Sequence, residues 1–232
     1  MRRPRCALTT TAERAGDLVE MVEAHGLEAV LLPCIEITVA SSARLETARA
    51  AANQADWLVF TSARAVTALW PEGGMPDMPA LVVGAGTAEA VRNGGGSVAI
   101  QGAGGAGDLL DRHPEPLAGK KVLFAHGASA DPSTLHRLEA MAAEVTALAV
   151  YETRSVPPNS DPVDVALFAS PSAVGGWAMS RQFDYVILAA IGATTAAALT
   201  SHGHPPHIVS PRPDHHLMVQ TVARHLSDRS PV

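Results

Sequence analysis

Aromatic side chains are scarce in this chain, at 4% of 232 residues. Single-stranded nucleic-acid surfaces are built on stacked aromatics, and nucleic-acid surfaces in general on an excess of Lys and Arg. Here Asp and Glu outnumber Lys and Arg by 23 to 17, for a formal net charge of -6 and a pI near 5.9. No nucleic-acid partner is expected. Long apolar runs are missing too, so no membrane span is expected. The basic start Met1-Arg2-Arg3-Pro4-Arg5 gives way to Thr9-Thr10-Thr11-Ala12-Glu13-Arg14 too soon for a secretory signal core. Cysteine is limited to Cys6 and Cys34, each in or beside an apolar run, which favours buried free thiols. A cytoplasmic protein is the expectation.

Several catalytic signatures are absent as well. There is no G-x-S-x-G, and no Ser/His/Asp triad can be placed. Ten histidines invite a metal reading, but no H-E-x-x-H or Cys/His spacing occurs, and His202, His204, His207, His215 and His216 read as a solvated loop. Gly84-Ala85-Gly86-Thr87-Ala88-Glu89 begins like a dinucleotide fingerprint, yet Glu89 occupies the place of the third glycine. No Walker lysine follows a glycine run. The sequence thus predicts no metal and no cofactor.

What the chain does have is 47% hydrophobic residues and an internal echo. Phe60-Thr61-Ser62-Ala63-Arg64-Ala65-Val66 returns as Phe168-Ala169-Ser170-Pro171-Ser172-Ala173-Val174, and Gly84-Ala85-Gly86-Thr87-Ala88 as Gly192-Ala193-Thr194-Thr195-Ala196, both at an offset of 108 without a gap. A duplicated unit is the natural cause. A second echo, at an offset of 116, relates Glu28 to Glu144 and Glu36 to Glu152.

Short apolar runs alternate with helical patterns along the chain, as in Cys6-Ala7-Leu8, then Ala12–His25, then Glu28–Leu32. This is the β-α-β grammar of a parallel sheet. The fold class expected is α/β: two doubly wound parallel-sheet domains joined by two extended linkers, one domain being discontinuous. Residues 1–35 plus 154–232 form that domain, and 38–150 the inserted one. The linkers are the extended stretches around Pro33–Thr38 and Val150–Thr153.

Ligands of open α/β sheets sit beyond the carboxyl ends of strands, where helix starts offer N–H groups to anions. The matching places are Thr10, Ser62-Ala63, Gly86-Thr87, His126-Gly127, Ser170-Ser172 and Thr194-Thr195. Each alone is also an ordinary helix cap. At duplicated positions they point to a shared cleft. Tyr151, one of two tyrosines, lies on a proposed linker. Its hydroxyl could donate a proton to a leaving oxygen, or its ring could simply pack.

At these residues the chain resembles the uroporphyrinogen-III synthase family. The pieces that carry the resemblance are Asp56–Ala63, Val83–Ala88, Tyr151-Glu152-Thr153, Phe168–Val174 and Ala190–Ala196. It implies two α/β domains with the site between them, and a cofactor-independent cyclising lyase. Linear hydroxymethylbilane is converted to uroporphyrinogen III, with loss of water and inversion of the last pyrrole ring. The resemblance makes Tyr151 the residue that assists departure of the hydroxyl. Ser62, Thr87, Ser170, Ser172, Thr194 and Thr195 fall in the polar turns that hold substrate carboxylates, with Thr10, Ala63 and Gly86 beside them. Two departures are visible: many members carry Arg where this chain has Thr10, and Pro211-Arg212-Pro213-Asp214 lacks the usual Thr. A monomer is expected, with hydroxymethylbilane synthase the candidate donor of the bilane. Two other readings compete. One is a two-domain binding or sensor protein for an anionic metabolite. The other is a sugar-phosphate isomerase, with His126 as its candidate base.

Overall fold

Residues 2–180 and 183–228 are described by the computed structural model. In chain order the elements are β1 (Arg5–Leu8), α1 (Gly16–Ala24), β2 (Glu28–Leu31), β3 (Ile35–Val39), α2 (Ser42–Ala52), β4 (Trp57–Phe60), α3 (Ala63–Leu69), β5 (Pro79–Val83), α4 (Ala85–Asn93), β6 (Ser97–Gly102), α5 (Ala106–Arg112), β7 (Lys121–Gly127), α6 (Pro132–Met141), β8 (Glu144–Ser155), β9 (Val165–Phe168), α7 (Pro171–Ala178), β10 (Ile187–Ala190), α8 (Ala193–Ser201), β11 (Ile208–Val209) and α9 (His215–Asp228). The chain divides into two compact units, Met1–Ile37 with Arg154–Val232, and Thr38–Thr153.

In the first unit the strands run β11-β10-β9-β1-β2, each paired parallel with its neighbour. The middle strands are apolar on both faces because helices cover both. Cys6 and Leu8 of β1, with Val165 and Leu167 of β9, pack under α1 and α9. Ala7, Ala166 and Phe168 pack on the opposite face, under α7 and α8. Cys6 is fully buried, and burial pushes its thiol up to about 12. The helix expected over Ala12–His25 is broken in fact. A short 3-10 turn covers Ala12–Arg14, and α1 begins only at Gly16.

Asp164 pins the start of β9. Its carboxylate accepts from the Arg2 guanidinium at 2.7 and 2.8 Å and from the Arg5 N–H at 2.7 Å. The Arg2 hydrogen bond leads in holding this carboxyl below its ordinary range, against an opposing effect of burial. A folded value below the unfolded one stabilises the protein above the unfolded value of about 3.9, and that stabilisation fades as pH falls through the folded value. Asp164→Asn is therefore expected to lower the melting temperature at pH 7, and the gap to wild type should narrow as pH falls below the ordinary carboxyl range. Thermal unfolding followed by circular dichroism at pH 7 and in that acid range checks this.

In the second unit the order is β3-β8-β7-β4-β5-β6. The pairs from β8 to β6 are parallel. At the β3 edge the two stretches expected to be extended linkers are strands. They run in opposite directions, as the bonds Ala40 N–H to Val150 O (3.0 Å) and Val156 N–H to Cys34 O (2.9 Å) show. Leu58 and Phe60 of β4 with Leu123 and Ala125 of β7 face α2, α3 and α4. Val59, Val122 and Phe124 face α5 and α6.

The echo in sequence is an echo in structure. β4, α3, β5 and α4 begin 108 residues before β9, α7, β10 and α8. Their helix caps match: Ser62 Oγ accepts from Arg64 N–H at 3.2 Å, and Ser170 Oγ from Ala173 N–H at 3.3 Å. Their helix ends match too. Gly95 and Gly203, at φ 88° and 82°, close α4 and α8 with the same pair of bonds, the left-handed exit that glycine makes without strain. The offset of 116 is equally structural, relating β1, α1 and β2 to β7, α6 and β8. The first unit is thus the second unit's fold with its strands taken in a permuted chain order.

Candidate functional site

A strand that ends where a helix begins leaves main-chain N–H groups without intrahelical acceptors. In the second unit three adjacent strands, β7, β4 and β5, end together, and β8 runs on beside them. β8 brings Tyr151 and β7 brings His126-Gly127. β4 leads into Ser62-Ala63, and β5 into Gly84, Ala85, Gly86 and Thr87. The strand order reverses between β4 and β7, which is where the crevice of a doubly wound sheet opens.

The turn at the end of β5 is made by Gly84, at φ 80°, so α4 starts at Ala85, two residues earlier than the sequence suggests. Gly86 and Thr87 consequently lie inside the first helical turn, with their N–H groups open to a ligand. Thr87 is 5% exposed. What it offers an anion is its amide. At β4 the Ser62 hydroxyl is spent on the Arg64 N–H, which leaves the Ala63 N–H.

The first unit repeats the arrangement. The ends of β1, β9 and β10 bring together Thr10, Ser170-Ser172 and Thr194-Thr195. The order reverses between β1 and β9, and the Thr9 hydroxyl bridges those strands by donating to Leu167 O at 2.6 Å. Thr10 and Thr195 are buried, while Thr194 is exposed. Pro171 has no N–H, so the first free amide of α7 is that of Ser172, whose carbonyl accepts from Ser155 Oγ at 2.8 Å.

Tyr151 is seated by a feature that sequence reasoning misses. Register slips between His126 and Gly127 in the β7–β8 ladder, so Gly127 stands opposite Tyr151. A Cβ on Gly127 would fall 2.7 Å from the ring's Cζ and 2.8 Å from the phenol oxygen. The phenol therefore lies flat on Gly127 at the carboxyl edge of this sheet. Tyr151 O also accepts from Ala128 N–H at 2.9 Å. The sequence reads His126-Gly127 as a turn opening a helix. Both residues instead finish β7, and α6 starts later, capped by Asp131, whose Oδ1 accepts from Ser133 N–H at 2.9 Å.

Of the C-terminal histidines, His202, His204 and His207 lie in the connection from α8 to β11, as the solvated-loop reading expects, while His215 and His216 begin α9. His204 stacks on Phe183 at 4.7 Å, and His207 Nδ1 accepts from the Leu188 N–H at 3.0 Å. His216 meets His25 edge-on at 6.0 Å. Burial, followed by the nearby Arg14, pulls His215 below its ordinary range. Among the described residues no group of three or more His, Cys, Asp or Glu could hold a metal ion. No helix among them is long and apolar enough to cross a membrane.

Fold and edge together define a class: a doubly wound α/β protein built from two like units, each presenting helix-start amides and small hydroxyl residues at the carboxyl edge of its sheet. The family model described as uroporphyrinogen-III synthase HemD matches residues 16–220. The chloroplastic uroporphyrinogen-III synthase of Oryza sativa subsp. japonica is 29% identical over 224 residues, covering 86% of this chain and 73% of that protein. Among solved structures, the uroporphyrinogen-III synthetase of Helicobacter pylori is similar with a TM-score of 0.68 at 18% identity, over 98% of this chain and 100% of that one. A mutant uroporphyrinogen III synthase from the extremely thermophilic bacterium Thermus thermophilus gives 0.66 at 20% identity, over 97% and 100%. The chain belongs to the uroporphyrinogen-III synthase family.

Proposed function

We propose that this chain closes hydroxymethylbilane to uroporphyrinogen III in haem biosynthesis by gripping the substrate's carboxylates with main-chain amides while Tyr151 releases its hydroxyl. Family membership makes it a cofactor-independent cyclising lyase and does not favour the non-catalytic binding protein. The observation that carries the mechanism is the convergence of Tyr151, Ser62-Ala63 and Gly86-Thr87 on one sheet edge, matched by Thr10, Ser170, Ser172, Thr194 and Thr195 on the other.

The chemistry asks for little more. A proton from the phenol lets the bilane hydroxyl leave as water. The azafulvene cation that remains is electrophilic enough to be attacked by the last ring unaided. Attack through that ring's substituted carbon gives a spiro intermediate. Its opening and reclosure invert the ring, and a proton leaves as the pyrrole regains aromaticity. Overall one water is lost and nothing is oxidised. The protein's task is to hold one geometry out of several. A net charge of -6 opposes a polyanion. The open N–H groups of the first helical turns act locally against that field, each helix start carrying about half a positive charge.

In this reading the protein works as a cytoplasmic monomer and takes its bilane from hydroxymethylbilane synthase. The buried free thiols of Cys6 and Cys34 suit a reducing compartment. The test supplies freshly made hydroxymethylbilane and separates the isomers formed. Isomer III should dominate. Isomer I alone, as in buffer, would reject the reading.

A further inference from the structure

We infer that His126 is an additional substrate-holding side chain of the Thr38–Thr153 unit, its Nε2–H donating to a carboxylate of the bilane. The inference rests on the function proposed above and adds a residue to that same edge.

Four observations lead there. His126 Nδ1 lies 2.8 Å from the Gly127 carbonyl oxygen. A carbonyl can only accept, so Nδ1 carries the hydrogen and Nε2 is the nitrogen left to take a proton. No protein group among the described residues bonds Nε2. The ring is also stacked on Phe124, with centroids 4.7 Å apart and planes 27° from parallel. Its rotation is thus fixed from two sides before any ligand arrives, which lowers the entropic cost of using it. Third, His126 is half-buried at the end of β7, beside β4 and the Ser62 cap, where the strand order reverses. Fourth, the offset of 116 places His126 at the position that Thr10 holds in the other unit.

Protonated at Nε2, the imidazole has two donors, one satisfied by Gly127 O and one free for an anion. Each unit then offers three kinds of contact at its edge: a serine cap, a helix-start threonine amide, and a residue at or just past the end of the strand bordering the reversal. His126 supplies the last of these with an imidazole nitrogen where the other unit has the Thr10 hydroxyl.

The experiment compares wild type with three variants of the full chain. His126→Phe keeps a ring on Phe124 and loses Nε2. His126→Asn keeps a donor only where Nδ1 stood. His126→Gln restores a donor near Nε2. Each is assayed for cyclisation of hydroxymethylbilane, and for equilibrium binding of uroporphyrin III, whose own fluorescence reports binding without turnover. For Phe and Asn, KM and the uroporphyrin dissociation constant are expected to rise about tenfold, the loss of one charge-assisted hydrogen bond, with a smaller effect on kcat. Gln should recover most of that loss, and all three should melt with wild type. Wild-type binding by both the Phe and Asn variants would overturn the inference, as would equal losses in all three. Failure of the wild type to form isomer III would instead strike the proposed function, and the binding comparison would still judge His126.

Discussion

Replacing Tyr151 by Phe is expected to slow ring closure about a hundredfold, the scale of a lost proton donor, while the fold survives. The phenol oxygen has no hydrogen-bond partner among the described residues, so removing it strands no buried group. The ring stays, resting on Gly127 and packed against the core that α2, α3 and α4 cover. Stability should be close to unchanged. If the hydroxyl acts as the leaving oxygen departs, the loss falls on kcat and leaves KM nearly as it was. Stopped-flow assay of isomer III formation, with a parallel melting curve, separates these effects. A wild-type kcat in the variant would reduce Tyr151 to a packing residue.

Gly176→Ala should be the most damaging single methyl in the first unit. Gly176 lies on the buried face of α7, beside the fully buried Trp177. An alanine Cβ there would overlap the Cys34 carbonyl oxygen and stand 2.6 Å from that of Val156. Both are main chain, and the Cys34 carbonyl already accepts the Val156 N–H at 2.9 Å. Neither can swing aside as a side-chain tip would. The helix must lift, and a loss of about 3 kcal/mol or more follows. The adjacent Gly175→Ala is the control. Its Cβ meets Ser155 Oγ at 3.1 Å, a side-chain tip that need only shift slightly while keeping its bond to Ser172 O. It should cost under about 1 kcal/mol, offset in part by better helix propensity. Urea unfolding of both variants decides the matter, and equal midpoints would contradict the backbone contact.

These two residues also mark where sequence reading stops. β4 and β9 are legible to the residue because both are unbroken apolar runs closed by a small polar turn. Ser62 and Ser170 are legible as caps for the same reason. At the start of α9, Asp214 Oδ1 accepts from the Leu217 N–H at 2.9 Å. Sequence alone sets α4 two residues late, because nothing local says which of two glycines takes the positive φ. Gly84 does, and Gly86 is helical. β3 reads as a linker because Pro33-Cys34 precedes it and its sheet partner among the described residues, β8, lies more than a hundred residues on. The seating of Tyr151 on Gly127 depends on a register slip between strands. A slip of that kind is a property of the paired ladder and leaves no mark in either strand alone. His126 is within reach of sequence reasoning, since the offset that relates Glu28 to Glu144 also relates Thr10 to His126.

The permuted chain order sets a timetable for synthesis. β1 is central in its sheet, with Cys6, Ala7 and Leu8 all fully buried, yet its neighbour β9 begins only at Val165. At about 5–20 residues per second on the ribosome, this apolar strand waits roughly 8 to 30 seconds with one edge bare. Thr38–Thr153 emerges whole in that interval and can complete its own core. A nascent chain paused before Val165 would therefore carry one finished body and one open β-edge, the point at which a chaperone is most needed.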